Sequence, residues 1–92
     1  MPAPKKLSSY FLTDPAQTDL IFWKRNNPAT INRIATLIDA IMAQPYTGIG
    51  KPKPLKYSLE GYWSRRIDSE HRIIYRISGN TLEIIALRGH YK

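Results

Sequence analysis

The sequence has no cysteine, which excludes disulfide staples and thiolate chemistry and accords with a reducing compartment. No apolar run approaches the ~20 residues that a membrane-spanning helix needs, so no membrane partner is expected. Lys5 and Lys6 run into Ser8 and Ser9 rather than a long apolar block, so no secretory signal is expected either. Histidine occurs only twice, too sparsely for a metal-ligand cluster. A Gly-rich phosphate loop and a Ser/His/Asp signature are also missing, which leaves metal-centred and acyl-transfer chemistry without support. Acidic side chains are scarce: seven Asp and Glu stand against fourteen Lys and Arg, for a net charge of +7.

The surplus is uneven. Nine basic side chains within residues 51–92 face only Glu60, Asp68, Glu70 and Glu83. Such a field favours a polyanionic partner, with nucleic acid ahead of a membrane surface because no basic amphipathic stretch stands out. An acidic protein partner would satisfy the same charge. Ninety-two residues with 42% apolar content allow one folded domain with one modest core.

Residues 1–9 read as a flexible leader, and the folded domain is expected over 10–92. Tyr10-Phe11-Leu12-Thr13 suits a short edge strand. Asp14 and Pro15 open a helix, with Asp14 as N-cap and Gln17 placed for a capping box. That helix directs Leu20, Ile21, Phe22 and Trp23 to the core and stops near Asn26-Asn27. Asn27-Pro28 repeats the device. Ile31, Ile34, Ala35, Ile38, Ile41 and Met42 then form one apolar stripe, which Gln44-Pro45 ends. Two helices so closely linked predict an αα-hairpin.

Glycine and proline forbid a regular element from Tyr46 to Lys56, where Lys51, Lys53 and Lys56 are held on an extended loop. Strand alternation follows from Tyr62 to Ile67, with Tyr62, Ser64 and Arg66 on one face and Trp63, Arg65 and Ile67 on the other. A reversal at Asp68-Ser69 leads to a strand over Glu70 to Ser78, where His71, Ile73, Tyr75 and Ile77 alternate with Arg72, Ile74 and Arg76. Gly79-Asn80 is a hairpin turn into a last strand from Thr81. Three strands in an antiparallel meander under a helical hairpin make an α+β fold. His71 reads as a packing residue, Glu70 as a cross-strand partner for an arginine, and Tyr62, Trp63 and Tyr75 as core or half-buried.

Arg, Lys, His and Tyr without metal ligands suit RNA cleavage by the neighbouring 2′-hydroxyl. That reaction needs a proton acceptor, cations around the phosphorane and a proton donor for the 5′-oxygen. His90 and Tyr91 stand out, because polar aromatics on the end of a strong strand have a use where a chain end would ordinarily fray.

Lys51-Pro52-Lys53-Pro54-Leu55-Lys56, Leu59-x-Gly61-Tyr62-Trp63-Ser64-Arg65-Arg66-Ile67, Glu70-His71-Arg72-Ile73-Ile74-Tyr75 and terminal His90-Tyr91 resemble the YoeB family of bacterial toxins, within the RelE superfamily. The likeness runs from about Tyr10 to Tyr91 and includes Trp23 at the close of the first helix. It implies a microbial-ribonuclease-like fold, a homodimeric cytoplasmic bacterial toxin, and cleavage of mRNA in the ribosomal A site. A cognate YefM-like antitoxin is implied as the neutralising partner, and no cofactor. By position, Arg72 corresponds to the arginine that stabilises the transition state, His90 to the general acid, and Tyr91 to the tyrosine that orients substrate. Lys56, with Lys51, Arg65 and Arg66, is expected to contact RNA phosphate.

Lys53 departs from the pattern, since the family reads Lys-Pro-Glu-Pro-Leu-Lys and uses that glutamate as general base. Lysine is ordinarily a cation at neutral pH and so a poor base. Lys51, Lys56 and Arg72 are like charges of the kind that discharge a neighbouring lysine. A catalytically weakened protein that still binds ribosome and antitoxin, or acts as a corepressor, is the alternative.

Overall fold

The computed structural model describes residues 7–89. His90, Tyr91 and the first six residues of the leader therefore lie outside the described residues. The elements in chain order are β1 (Ser9–Leu12), α1 (Asp14–Asn26), α2 (Ala29–Ala43), β2 (Lys53–Pro54), a 3₁₀ turn (Tyr57–Leu59), β3 (Trp63–Arg66), β4 (Arg72–Ser78) and β5 (Thr81–Ala86). The expected meander β3-β4-β5 is present and antiparallel, but it is the middle of a five-stranded mixed sheet ordered β1-β5-β4-β3-β2. The first edge is β1, parallel to β5 with Leu12 opposite Ile84; the second is β2, antiparallel to β3 with Lys53 opposite Ser64. The end of the leader is tied down, because Ser8 N donates to Asn80 O at 2.8 Å and Leu7 packs on the core.

The first helix starts one residue earlier than its Asp-Pro signal indicates. Thr13 is the N-cap, its hydroxyl accepting from Ala16 N at 3.4 Å, while Asp14 and Pro15 occupy the first turn. Gln17 reaches back to the Leu12 carbonyl rather than closing a capping box on Asp14. At the second helix Pro28 is the flanking residue without a side-chain cap, and Asn27 contributes its carbonyl, which accepts from Thr30 N at 3.0 Å. Of the α1 run only Trp23 is fully buried, with Leu20 and Phe22 half-buried; Ile21 points to solvent. On α2, Ile34, Leu37, Ile38 and Ile41 carry the buried stripe, whereas Ala35 is exposed.

Both helices cover one face of the sheet. Their main core joins Trp23, Ile34, Leu37 and Ile41 to Ile73, Tyr75, Leu82, Ile84 and Leu87. The opposite, outer face has a smaller core of Leu55, Ile74 and Ala86, flanked by Leu59, Tyr62 and Ile85. A bulge between Ile74 and Tyr75 in register pairs Tyr75 with Ile84 but Ile74 with Ala86, so that Ile85 is the extra residue. The inward set on β5 thus runs Leu82, Ile84, Leu87 rather than continuing in twos. This slip sends Leu87 to the core and brings Gly89 beside Arg72 at the start of β4. Among the described residues no helix is long and apolar enough to cross a membrane.

Candidate functional site

The register places the basic residues in a row across one end of the sheet. Arg66, last in β3, lies directly opposite Arg72, first in β4. Arg66 N donates to Gly50 O at 2.6 Å on one side, and Arg72 N donates to Gly89 O at 3.0 Å on the other. Strand spacings of about 4.8 Å then put the Lys51 loop, Arg66, Arg72 and Gly89 within about 15 Å of one another.

Alternation decides which of these cations can meet a ligand. Ile73 and Tyr75 face the helices, so Arg72 and Ile74 face outward; Arg66 and Ser64 do likewise on β3, and Lys53 stands beside Ser64. Lys53 and Arg72 share this outer face at a Cβ separation of roughly 12 Å, two strands across and two residues along. Long side chains can span that gap to one phosphodiester. Lys53 and Arg66 are exposed and Arg72 is half-buried, its Nη1 3.4 Å from Asp68 O. Arg66 and Arg72 thus set two like charges directly opposite each other on neighbouring strands, a pairing that like charges ordinarily oppose.

The turn before β4 is built on Asp68. Its Oδ1 accepts from Glu70 N at 2.8 Å and His71 N at 2.7 Å. Burial works to raise the carboxyl's pKa, but those two N–H groups, with the charges of His71 and Arg72, outweigh it and hold the group below its ordinary value. An open concavity of about 400 Å³ bounded by Ser69, Glu70, His71 and Gly89 lies beside this turn. A smaller one of about 110 Å³ is lined by Lys53, Pro54, Leu55, Lys56 and Tyr57. Away from both, an apolar groove of about 200 Å³ runs between β1 and the helices, lined by Leu12, Leu20, Ile34 and Ile38 among others.

Arg65 does not belong with the phosphate contacts. It is completely buried on the helix side. Its Nε donates to Tyr75 Oη at 3.2 Å, Nη1 to Ile49 O at 3.2 Å, and Nη2 to Thr47 O at 2.8 Å and to Gln44 O. Tyr75 Oη in turn donates to Pro45 O at 2.7 Å. A loop that cannot form a ladder needs partners for its carbonyls, and the guanidinium fork supplies them. Burial raises the Tyr75 phenol's pKa, with the Arg65 hydrogen bond and charge pulling partly the other way. Arg65 therefore sets the path of the loop that delivers Lys51 and Lys53. The alternation that grouped Arg65 with Trp63 and Ile67 was the sequence signal for it.

Other arginines are also accounted for. Arg76 pairs with Glu83 at 3.3 Å and lies over Tyr62 at 5.3 Å; Arg33 donates to the carbonyls of Ile67 and Arg66. Sequence reasoning gave no role to Asp19, Gly50 or the Trp23–His71 contact, all of which shape the site. No group of three or more His, Asp or Glu side chains capable of holding a metal ion occurs among the described residues.

The comparisons with known proteins agree with this fold. Residues 12–91 match the family model described as YoeB-like toxin of bacterial type II toxin–antitoxin system. The chain is 48% identical over 80 residues to Toxin YoeB of Synechocystis, covering 87% of this chain and 93% of that protein. Among solved structures it is similar to a YoeB/ParE toxin from Agrobacterium tumefaciens, at 42% identity and a TM-score of 0.86, covering 91% of this chain and all of that one (100%). It is similar, too, to YoeB of Staphylococcus aureus solved as a dimer, at 33% identity and a TM-score of 0.84 with 90% and 97% covered. The same Staphylococcus aureus toxin in complex with YefM gives 34% identity and a TM-score of 0.83, with 95% and 100% covered. With sequence and fold in agreement over nearly its whole length, the chain belongs to the YoeB-like toxins of bacterial type II toxin–antitoxin systems.

Proposed function

We propose that this toxin is a ribosome-dependent endoribonuclease that cuts mRNA in the ribosomal A site, and that a YefM-like antitoxin neutralises it. The observation that carries the reading is the outward-facing Arg66–Arg72 pair, with Lys53 on the same face and Gly89 hydrogen-bonded to Arg72. In the reaction the 2′-hydroxyl oxygen attacks the adjacent phosphorus and its proton passes to a base. The P–O5′ bond breaks, and the 5′-oxygen takes a proton from an acid. The products are a 2′,3′-cyclic phosphate and a 5′-hydroxyl. Arg72 and Arg66 balance the charge that builds on the phosphorane oxygens, and Lys51 and Lys56 hold flanking phosphates. Lys53 is assigned the base, His90 the acid and Tyr91 the orientation of substrate, on the positions at which they stand in the sequence.

So small a site orders only a few nucleotides, so the ribosome supplies the in-line geometry, and free RNA is cut slowly or not at all. The toxin is proposed to form a homodimer, as the Staphylococcus aureus protein does. Its antitoxin is an acidic segment that folds over the basic face. Lys53 also favours a second reading, in which the protein binds ribosome and antitoxin but cleaves weakly. Toe-printing of mRNA on ribosomes with and without the protein, followed by end-group analysis, separates the two. New A-site stops with 5′-hydroxyl ends are the expected result. Ribosome binding without new stops supports the second reading, and 5′-phosphate ends contradict the mechanism.

A further inference from the structure

Beyond Ala86 the chain has left the sheet ladder, yet Leu87 and Gly89 are held on both sides by other elements. Leu87 N donates to Asp19 Oδ2 at 2.9 Å, and Leu87 O accepts from Trp23 Nε1 at 2.8 Å. Gly89 N donates to His71 Nδ1 at 3.0 Å, and Gly89 O accepts from Arg72 N at 3.0 Å. The rings of Trp23 and His71 meet edge-on, 4.9 Å between centroids at 87°. Between the two anchors the Arg88 guanidinium lies 3.6 Å from the centre of the Phe22 ring. Gly89 adopts φ 90°, a conformation that residues with a Cβ rarely take. Here α1 and the β4 turn fix Leu87 and Gly89 together.

His71 differs from the other anchors because its part in the circuit depends on a proton. Nδ1 accepts from Gly89 only when the ring is neutral and its hydrogen sits on Nε2, which is 4.0 Å from Glu70 Oε2. Protonation turns Nδ1 into a donor aimed at another donor, and the bond is lost. The charged groups around the ring are of both signs. They are Asp68 and Glu70 in its own turn and Asp19 on α1, with Arg72, Arg33 at the Ile67 carbonyl and Arg88 beyond β5.

We propose that His71, oriented by Trp23, is a positioning residue for the cleavage site: while its Nδ1 is unprotonated it fixes Gly89, and so the point beside Arg72 from which His90 and Tyr91 depart. Its catalytic consequence rests on the endoribonuclease reading; the latch itself does not. Nuclear magnetic resonance of the free toxin tests the latch. The Gly89 amide proton should move upfield on acidification, in step with the His71 ring. His71→Phe keeps a ring against Trp23 but removes the acceptor, so the Gly89 amide should sit upfield and exchange faster at every pH. His71→Asn restores a non-titrating acceptor and should restore the amide.

Single-turnover cleavage on saturating ribosome complexes tests the consequence. His71→Phe should lower the rate about 10–100-fold, the scale of a misplacement near 1 Å, with affinity for the complex within about twofold of wild type. His71→Asn should recover most of the rate. A Gly89 amide indifferent to His71 overturns the latch. An amide that tracks His71, with an unchanged His71→Phe rate, overturns the positioning role. Absence of cleavage by the wild type would count against the endoribonuclease reading and leave the latch to be decided by the amide.

Discussion

Replacing Arg65 by Met should unfold much of the molecule's margin of stability without removing a phosphate contact. Met has a similar reach but no donors, so the carbonyls of Gln44, Thr47 and Ile49 and the Tyr75 hydroxyl all lose a partner. An unsatisfied buried polar group costs about 1–3 kcal/mol. Here the sum is reduced, because Ile49 and its neighbours lie near the surface and water can reach part of the loop. Removing the whole fork should therefore cost about 3–5 kcal/mol, the range for breaking a buried charged network. A domain of this size loses roughly 4–8 °C per kcal/mol, so the melting temperature should fall by more than about 12 °C. Arg65→Lys keeps the charge but not the fork and should fall between the two. Urea and thermal unfolding followed by the fluorescence of Trp23 and Trp63 measure the change. A stable Arg65→Met protein, within about 1 kcal/mol of wild type yet weakened in RNA binding, would refute this reasoning and return Arg65 to the phosphate contacts.

Tyr75 gives a matching pH dependence. Its pKa is raised in the fold, so its contribution is fully present below the ordinary phenol value of about 10 and is lost as pH climbs through the folded value. Melts should show a loss of stability from about pH 10 upward that Tyr75→Phe lacks. Gly50→Ala should cost about 2–4 kcal/mol, from the left-handed backbone and from crowding, because its Cβ would lie 2.9 Å from Leu37 Cδ2 and 3.1 Å from Arg65 Cβ; chemical denaturation checks it. Lys53→Ala should lower single-turnover cleavage about 10²–10⁴-fold if Lys53 is the base, while Lys53→Glu should keep or raise activity at neutral pH. A Lys53→Ala protein with the wild-type rate would remove Lys53 from the mechanism and leave it a phosphate contact.

What the sequence displayed and what it concealed divide along a physical line. Period-two alternation in residues 62–67 and 70–78, with the Gly79-Asn80 turn, was enough to place Arg66 and Arg72 outward on adjacent strands. The short edge strands were harder to see. As a two-residue strand within a Pro-rich loop, β2 has no period to read, and the parallel pairing of β1 with β5 joins segments some 72 residues apart in sequence. The bulge at Ile85 was visible only as a continuous apolar run from Ile84 to Leu87, which fits a straight strand equally well. Arg65 and Arg66 alternate to opposite faces, so only one of them can face a ligand; Arg65 lies with Trp63 and Ile67 on the helix side and is buried. The latch on Leu87 and Gly89 depends on Asp19 and Trp23 of α1 meeting His71 of the turn before β4, which local pattern does not encode.

The central claim is that the Arg66–Arg72 end of the sheet is where RNA is cut. Single-turnover cleavage by Arg72→Ala, on saturating ribosome complexes and with ribosome and antitoxin binding measured alongside, tests it most directly. Loss of a permanent cation beside the phosphorane should lower the rate about 10²–10³-fold, across the whole pH range and whichever group serves as base. Binding should change far less than the rate. An Arg72→Ala toxin that binds and cleaves at the wild-type rate would contradict the account.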